Sequence, residues 1–481
     1  MQKLAFIVWF YFFISPLVAQ EIPPGDAKPL GPKTIVVEIT PRAIEGPILK
    51  YRFLPREDEL KPGNAVPILL RLPWEQRNWM EKVYPNLQNW EDVTLTDPKW
   101  KEYSDIPPRF FDEMKRAAYR RDAGWEYPIG EVPAMTILLP DVQGLRAFLG
   151  YGLSSRAKYH LSRSELEEAL EVIKVGIANS RHIAGTPFVV NQLVAAAIQR
   201  TMFDRTLDLI SQPKSPNLYW GLSAIPKGIL SLERTADIEG QMLSLTFPFI
   251  KDLDKTRDSR EWKKLFDQQL NQMAITMGLV VPKEEAGKKQ AFAEAERVAR
   301  RELVKIPGYS QEKVAQMTME EAVLRWYVFN HLNLDARYTA YSVLPPREAI
   351  PQLVKLNKDA NEFYSHLNYK FFDFFKNPLF NYLSLNGIYR KIQMIRVIEA
   401  VRHYAATHDG MFPDKLEDIT DIPVPLDPLT DKAFVWKVKV GQATLSPPDL
   451  PAEIMASMKE HKKDSLAELL GTTYQLKLRT K

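Results

Sequence analysis

The 481-residue chain contains no cysteine. That excludes disulfide staples, thiolate zinc and iron–sulfur sites, a thiol nucleophile and a cysteine-linked lipid anchor. Glycine is scarce, at 21 residues against 36 prolines, which argues against phosphate-cradling loops, propellers and collagen-like repeats. The patterns G-x-S-x-G, G-x-x-x-x-G-K-[ST] and G-x-G-x-x-G do not occur. After the N-terminus no stretch reaches the roughly 20 apolar residues of a membrane span. The nearest, Phe188 to Ile198, is 11 residues long, with Asn191 and Gln192 inside it. An excess of one charge is missing too: 64 Lys and Arg stand against 60 Asp and Glu, a balance of +4 that implies no nucleic-acid partner. A hydrophobic share of 45%, a charged share of 26% and a mean hydropathy of −0.28 are those of a globular chain, neither multi-span nor disordered. Without staples, stability must come from burial, and a chain of this length can bury a large core.

What is present begins with an export signal. Met1-Gln2-Lys3 is a short basic start, and Leu4 to Ile14 is an unbroken apolar run of 11 residues. Ser15-Pro16 ends it, and Ala19 offers a small residue for cleavage, with Gln20/Glu21 the alternative. Residues 1–19 are therefore expected to be a signal peptide, an uncleaved N-terminal anchor being the other reading. A periplasmic or secreted chain follows, soluble or peripheral once the signal is removed.

Residues 20–47 read as a Pro-rich tether with at most one strand, Thr34 to Ile39. Residues 48–133 mix short helical pieces with prolines and hold Trp74, Trp79, Trp90, Trp100 and Trp125. From 134 to 387 the apolar period is helical. Ser164-Glu165-Leu166-Glu167 reads as a capping box, with Ser162-x-x-Glu165 the alternative start. Leu166, Ala169, Leu170, Ile173 and Ile177 then form an apolar stripe, with Glu167, Glu168, Glu171 and Lys174 opposite. Thr186-Pro187 is expected to open a helix buried on all sides. Further helices are expected over 226–246, 258–279, 286–304, 318–342 and 346–375. The last, from Asn377-Pro378 to His408, ends at Gly410 and would be about 45 Å long. The spacing of Ala157, Tyr159, Leu161 and Ala169 fits one tetratricopeptide-like hairpin, with no second copy. The fold class is mainly α, an α–α array or irregular helical bundle. Residues 388–450 form a small helix plus β-hairpin module, and 451–481 a C-terminal tail.

In that module Phe434, Trp436, Val438 and Val440 alternate with Val435, Lys437 and Lys439, which predicts a strand with one buried face. Gly441-Gln442 reads as a two-residue loop with glycine first, and Ala443 to Ser446 as the returning strand. Trp436 should anchor this hairpin on the apolar side of the preceding helix, around Val397, Val401 and Tyr404.

Candidate chemistry is sparse. The histidines at 160, 182, 331, 366, 403, 408 and 461 show no metal-ligand spacing, and fit solvated or capping roles. Gly150-Tyr151-Gly152-Leu153-Ser154-Ser155 is glycine-rich, and would let two helices approach closely. Trp90-Glu91-Asp92 and Asp97-Pro98-Lys99-Trp100 place carboxylates beside tryptophans, the ingredients of a glycan site or simply of helix-edge packing. Glu239, close to the Leu232, Ala236, Gly240, Leu243 stripe with Arg234 nearby, is either a carboxyl of perturbed pKa or half of a structural ion pair. Arg390, Lys391, Arg396, Arg402 and His403 give the long helix a basic side, interleaved with Ile388, Ile392 and Ile395. No catalytic, cofactor-binding or metal-binding residue is assigned.

Two stretches carry a resemblance. One is Ser215-Pro-Asn-Leu-Tyr-Trp-Gly-Leu-Ser-Ala-Ile-Pro-Lys227. The other runs from Ala400 to Pro448, with Tyr404-Ala-Ala-Thr-His-Asp-Gly-Met-Phe-Pro413, Leu416-Glu-Asp-Ile419, Val424-Pro-Leu-Asp-Pro-Leu-Thr430 and Ala443-Thr-Leu-Ser-Pro447. Together they resemble an uncharacterised family of exported proteins of planctomycete bacteria, over roughly residues 135–450. The resemblance implies export and a helical body, and no activity. The second stretch is also similar to the C-terminal part of type II secretion pseudopilins, although the chain has no mature N-terminal helix of pilin type. Through that similarity Asp421, Asp427 and Asp431 become either calcium ligands or turn formers.

The expected function is an exported, non-catalytic helical scaffold or binding protein of a bacterial cell envelope, with an envelope protein or polysaccharide as partner. The alternative is a carbohydrate-binding or glycoside-processing protein using the Trp-rich 74–125 region.

Overall fold

The computed structural model describes residues 33–75, 93–98, 100, 108–129, 140–241, 244–245, 248–277, 284–366, 378–455 and 464–479. The expected signal peptide, Trp79, Trp90, the Glu91-Asp92 pair and His461 lie outside the described residues.

The chain folds as the mainly α array that its periodicity predicts, with a four-stranded sheet and a separate parallel strand pair among the described residues. After β1 (Thr34–Ile39) and β2 (Lys61–Asn64) come α1 (Val66–Glu75), α2 (Pro108–Ala118) and β3 (Arg120–Asp122). Then follow α3 (Pro140–Arg146), a π-helical turn (Ala147–Gly152) and α4 (Leu153–Ser162). The glycine-rich Gly150–Ser155 segment is therefore the widened middle of a helix, the kind of π-turn that accommodates an extra residue. A Cβ built on Gly150 meets nothing within 4 Å, so no second helix presses on that glycine.

The helices α4 and α5 (Leu166–Ala184) form the expected hairpin, with Ala157, Leu161 and Ala169 at its interface. The capping box does not form. Ser164 takes a left-handed φ of 59°, Glu165 becomes the N-cap, and its carboxylate pairs with His160 and Arg163. Next is α6 (Val189–Ile210), buried nearly all round, whose N-cap is Phe188 and not Thr186. Short α7 (Tyr219–Ser223) and α8 (Glu233–Glu239) lead to α9 (Ser259–Met277), α10 (Glu285–Leu303), α11 (Gln311–Gln316) and α12 (Met319–Ser342). The helix expected over 226–246 is thus broken: among the described residues α8 and a helical pair at 244–245 remain of it. Thr318 caps α12 by accepting from the Glu321 amide, as Ser310 caps α11. The series ends with α13 (Pro346–Ser365) and α14 (Pro378–Thr407).

The 30-residue α14 is the spine of the molecule, packed on α6, α7 and α13. Its C-terminus is where the pattern put it, with Gly410 at a φ of 74° and its amide bonded back to Ala405. The last segment supplies β4 (Val435–Lys439), β5 (Gln442–Ser446), α15 (Asp464–Gly471), which packs on α14, and β6 (Thr473–Leu478).

The hairpin does not stand alone. The sheet order is β1-β6-β5-β4, with β1 parallel to β6 and the other pairs antiparallel. A two-stranded hairpin is not stable by itself, and the missing strands come from the two ends of the chain. The turn also differs from the prediction. Lys439 pairs with Gln442, so the loop is Val440-Gly441 with glycine second, at a φ of 74°. Positive φ at the second loop position is the type II requirement. Phe434 is buried, and Trp436 is half-buried, edge-on to Phe412 and donating to the Pro413 carbonyl. Val438 and Val440, expected inside, are exposed, at the turn end of the edge strand β4.

Candidate functional site

The expected basic side of α14 is an internal surface. The fully buried Arg402 donates to both Glu399 oxygens at 2.9 Å and to the carbonyls of Thr40, Ser215 and Pro216. Arg390 grips Asp427 with two 2.7 Å hydrogen bonds and reaches the Leu470 carbonyl. Lys391 pairs with Asp204, Arg396 donates to the Tyr219 hydroxyl, and His403 Nδ1 accepts the Ile44 amide. These charges tie the chain ends and the 215–227 stretch to the spine. In this way the 215–227 stretch and the C-terminal half of α14 meet in space, although Pro216 and Arg402 are 186 positions apart.

The three loop aspartates do not converge. Asp427 is buried against Arg390 and Thr430, Asp421 is exposed 3.8 Å from His403, and Asp431 holds a left-handed turn. Among the described residues no group of three His, Asp or Glu side chains is arranged to hold a metal ion.

The described tryptophans divide. Trp100 is buried, Trp125 donates to the His182 carbonyl while stacking on Tyr127, and Trp74 is exposed. The first two are packing residues, and no platform forms between them.

Among the described residues open grooves lie elsewhere, on either side of the N-terminal half of α5. One groove, of about 540 Å³, runs between the 47–59 segment and α5. Its outer wall is held by two contacts. Phe53 is buried beside Phe203, their ring centroids 6.3 Å apart, and the Tyr51 carbonyl presses on Gly221, where a Cβ would collide. Lys50, Arg52 and Arg56 stand on that wall with Tyr51, and face Glu167, Glu171 and Lys174 of α5. Lys174 lies 3.6 Å from Glu59 and over the Tyr119 ring. Glu171 accepts from the Tyr119 hydroxyl at 2.9 Å and from Lys115 at 3.0 Å. Burial, and then the Glu171 charge, push the Tyr119 hydroxyl well above its ordinary pKa, so it stays a donor. A second depression of about 300 Å³ shares Glu167 and Glu171 and continues to Phe111, Arg156 and His160. Arg156 lies over the Phe111 ring at 4.3 Å. The surface thus presents hydrogen-bond donors, acceptors and both signs of charge around small aromatic faces.

Half of this groove is legible in the sequence as a polar helix face. Glu167, Glu171 and Lys174 follow from the helical period as a polar face, but nothing local brings Tyr51, Arg52 and Arg56 to them.

Glu239, the one carboxyl singled out for a perturbed pKa, sits at the end of α8 and accepts the Val189 amide at 2.7 Å, closing the start of α6. Burial pushes it up to about 7. The side chain of Arg234 lies outside the described residues.

Comparison of the chain with protein-family models, with curated proteins and with solved structures found no match to any of them.

Proposed function

We propose that this chain is an exported, non-catalytic helical scaffold or binding protein of a bacterial envelope, and that the groove along α5 is its ligand-facing surface. The observation that carries the reading is the groove itself. Its charged side chains stand on a wall fixed by Phe53 and Gly221, whereas the charges of α14 are spent inside on tying elements together. The mixture of Lys50, Arg52, Arg56 and Lys174 with Glu59, Glu167 and Glu171, beside the Tyr51 ring, suits a polar chain carrying hydroxyl or charged groups, such as an envelope polysaccharide. Export rests on the N-terminal signal pattern. Among the described residues no helix is long and apolar enough to cross a membrane.

Two measurements test the reading. Expressed in a bacterium with a periplasm, the chain is expected in the periplasmic fraction, shortened by about 19 residues. Recovery at full length from the cytoplasm defeats it. Calorimetric titration with solubilised envelope polysaccharides should show binding that the Arg52→Glu/Lys174→Glu double variant weakens by about tenfold or more. Equal affinities for both proteins would remove the groove from the proposal.

A further inference from the structure

A stripe of polar side chains runs along the buried face of α12. His331, Asp335, Tyr338 and Ser342 recur at helical spacing, and all are buried. His331 Nδ1 lies 3.1 Å from the hydroxyls of Tyr327, on the same helix, and Tyr364, on α13. Its Nε2 stands 3.4 Å from Asp335 Oδ2. Both Asp335 oxygens are sealed from solvent and have no hydrogen-bond partner. Asn381 of α14 and Ser342 of α12 stand near the Tyr338 hydroxyl and lower its pKa against the effect of burial. From α8, which packs on α12, Glu239 acts on both Asp335 and Tyr338 through its charge. Among the described residues no lysine or arginine forms an ion pair with Asp335 or Glu239.

A buried carboxyl with neither a hydrogen-bond partner nor a cation, as Asp335 is, is tolerable in a dry interior only while protonated, and the half-buried Glu239 of the adjoining α8 adds its charge to the same site. We propose that Asp335, His331 and Glu239 form a proton-operated latch that holds α8, and with it the first turn of α6, against α12. In the closed state the carboxyls carry protons and the imidazole is neutral, so the interface holds no net charge. When both acids ionise, two like charges share a site of low dielectric, and the short α8 separates from α12. The start of α6 then loses its external cap, because Glu239 is the acceptor for the Val189 amide. Burial, with the Glu239 charge adding, pushes Asp335 up to about 8. Burial pushes Glu239 up to about 7 and takes His331 down to about 3. The latch therefore releases above neutrality.

Amide hydrogen exchange of the full chain, read by mass spectrometry at about pH 6 and about pH 9 and corrected for intrinsic exchange, tests this. The peptides covering 233–239 and 189–192 are expected to lose protection by about tenfold or more at the higher pH, while the α4–α5 hairpin does not change. Asp335→Asn/Glu239→Gln keeps the shapes and removes the charges, and should abolish the pH response. Glu239→Gln alone removes one of the two charges and should leave a smaller response, which keeps the test open if the double variant does not fold. Equal corrected exchange of the wild type at both pH values, or an unchanged response in the variants, overturns the latch.

Discussion

At the scale of single residues, the interior charges decide what the protein tolerates. Glu399 and Arg402 are both fully buried, and burial raises the Glu399 pKa against the lowering pull of its partner. Removing one member strands the other, which typically costs about 3–5 kcal/mol. Arg402→Met is expected to cost at least that much in urea unfolding, because three carbonyls also lose their donor. The double variant Glu399→Leu/Arg402→Met should cost less than the sum of the singles. A pH profile follows from the latch residues. Glu239 has a folded pKa of about 7, above its ordinary value, so its contribution is present at low pH and lost as pH rises through 7. His331 and Asp335 count as a pair. Between about pH 4 and 6.5 the unfolded pair holds one proton on histidine and the folded pair one on aspartate, so stability does not change. From about 6.5 to 8 only the folded pair keeps its proton, and stability falls. His182, lowered by burial to about 4, opposes Glu239 below 6.5 and is silent above it. The urea midpoint should therefore drop most steeply between about pH 6.5 and 8, and Asp335→Asn should flatten that drop. Little of this was legible beforehand. Glu239 stood out because it lay near an apolar stripe, but His331 and Asp335 looked like ordinary polar positions on a mixed helix.

At the scale of elements, the long helices were readable because their caps and periods agree. Thr318 caps α12 where the 318–342 pattern begins, and Gly410 ends α14 after Pro378 starts it. The failures occurred where tertiary contacts overrode a local signal. Ser164-x-x-Glu167 has the sequence of a capping box, yet the tight link between α4 and α5 sends Ser164 left-handed and gives Glu165 the cap. Close approach is likewise required at glycines other than Gly150, where an added Cβ meets nothing within 4 Å. A Cβ on Gly176 would collide with the Met202 side chain, and one on Gly221 with the Tyr51 backbone carbonyl. A methionine can change rotamer, whereas a carbonyl in a pinned wall cannot. Gly176→Ala should therefore cost about 1–3 kcal/mol, and Gly221→Ala more, with accompanying loss of groove binding. Thermal unfolding and the polysaccharide titration read the two effects separately. In the sheet, Leu445 is fully buried while Trp436 is only half-buried. Leu445→Ala should cost about 2–5 kcal/mol. Trp436→Ala should fall below the 3–5 kcal/mol of a fully buried aromatic, since part of its surface is already wet and one hydrogen bond to Pro413 is what it adds.

At the scale of the whole molecule, the sheet closes the chain on itself, and no local pattern announces this. The run from Thr34 to Ile39 reads as a strand inside a tether, and the tail after 450 gives no sign of where its strand goes. In the structure Thr34 pairs with Thr473 and Ile39 with Leu478, so the most distant described segments are neighbours. The buried face of that sheet, Val37, Ile39, Leu445, Tyr474 and Leu476, joins the same continuous core as the helices. Arg402 and Asn217 extend the connection by binding the Thr40 and Arg42 carbonyls just beyond β1. Because β6 lies between β1 and β5, it is the strand whose loss unpairs the rest. Deleting residues 472–481 removes the one strand among the described residues that β1 bonds to, exposes Val37 and Ile39, and leaves the β4–β5 hairpin without a third strand. The 33–45 segment should then become susceptible to protease, while the α4–α5 hairpin and α6 stay protected. Addition of a synthetic peptide spanning residues 472–479 should restore protection of 33–45, since the edges of β1 and β5 it would fill are those that β6 occupies. If limited proteolysis instead cuts the truncated chain throughout, the sheet and the helical array fold as one cooperative unit. If it cuts nowhere new, β1 is held by Arg402 and Asn217 without the sheet.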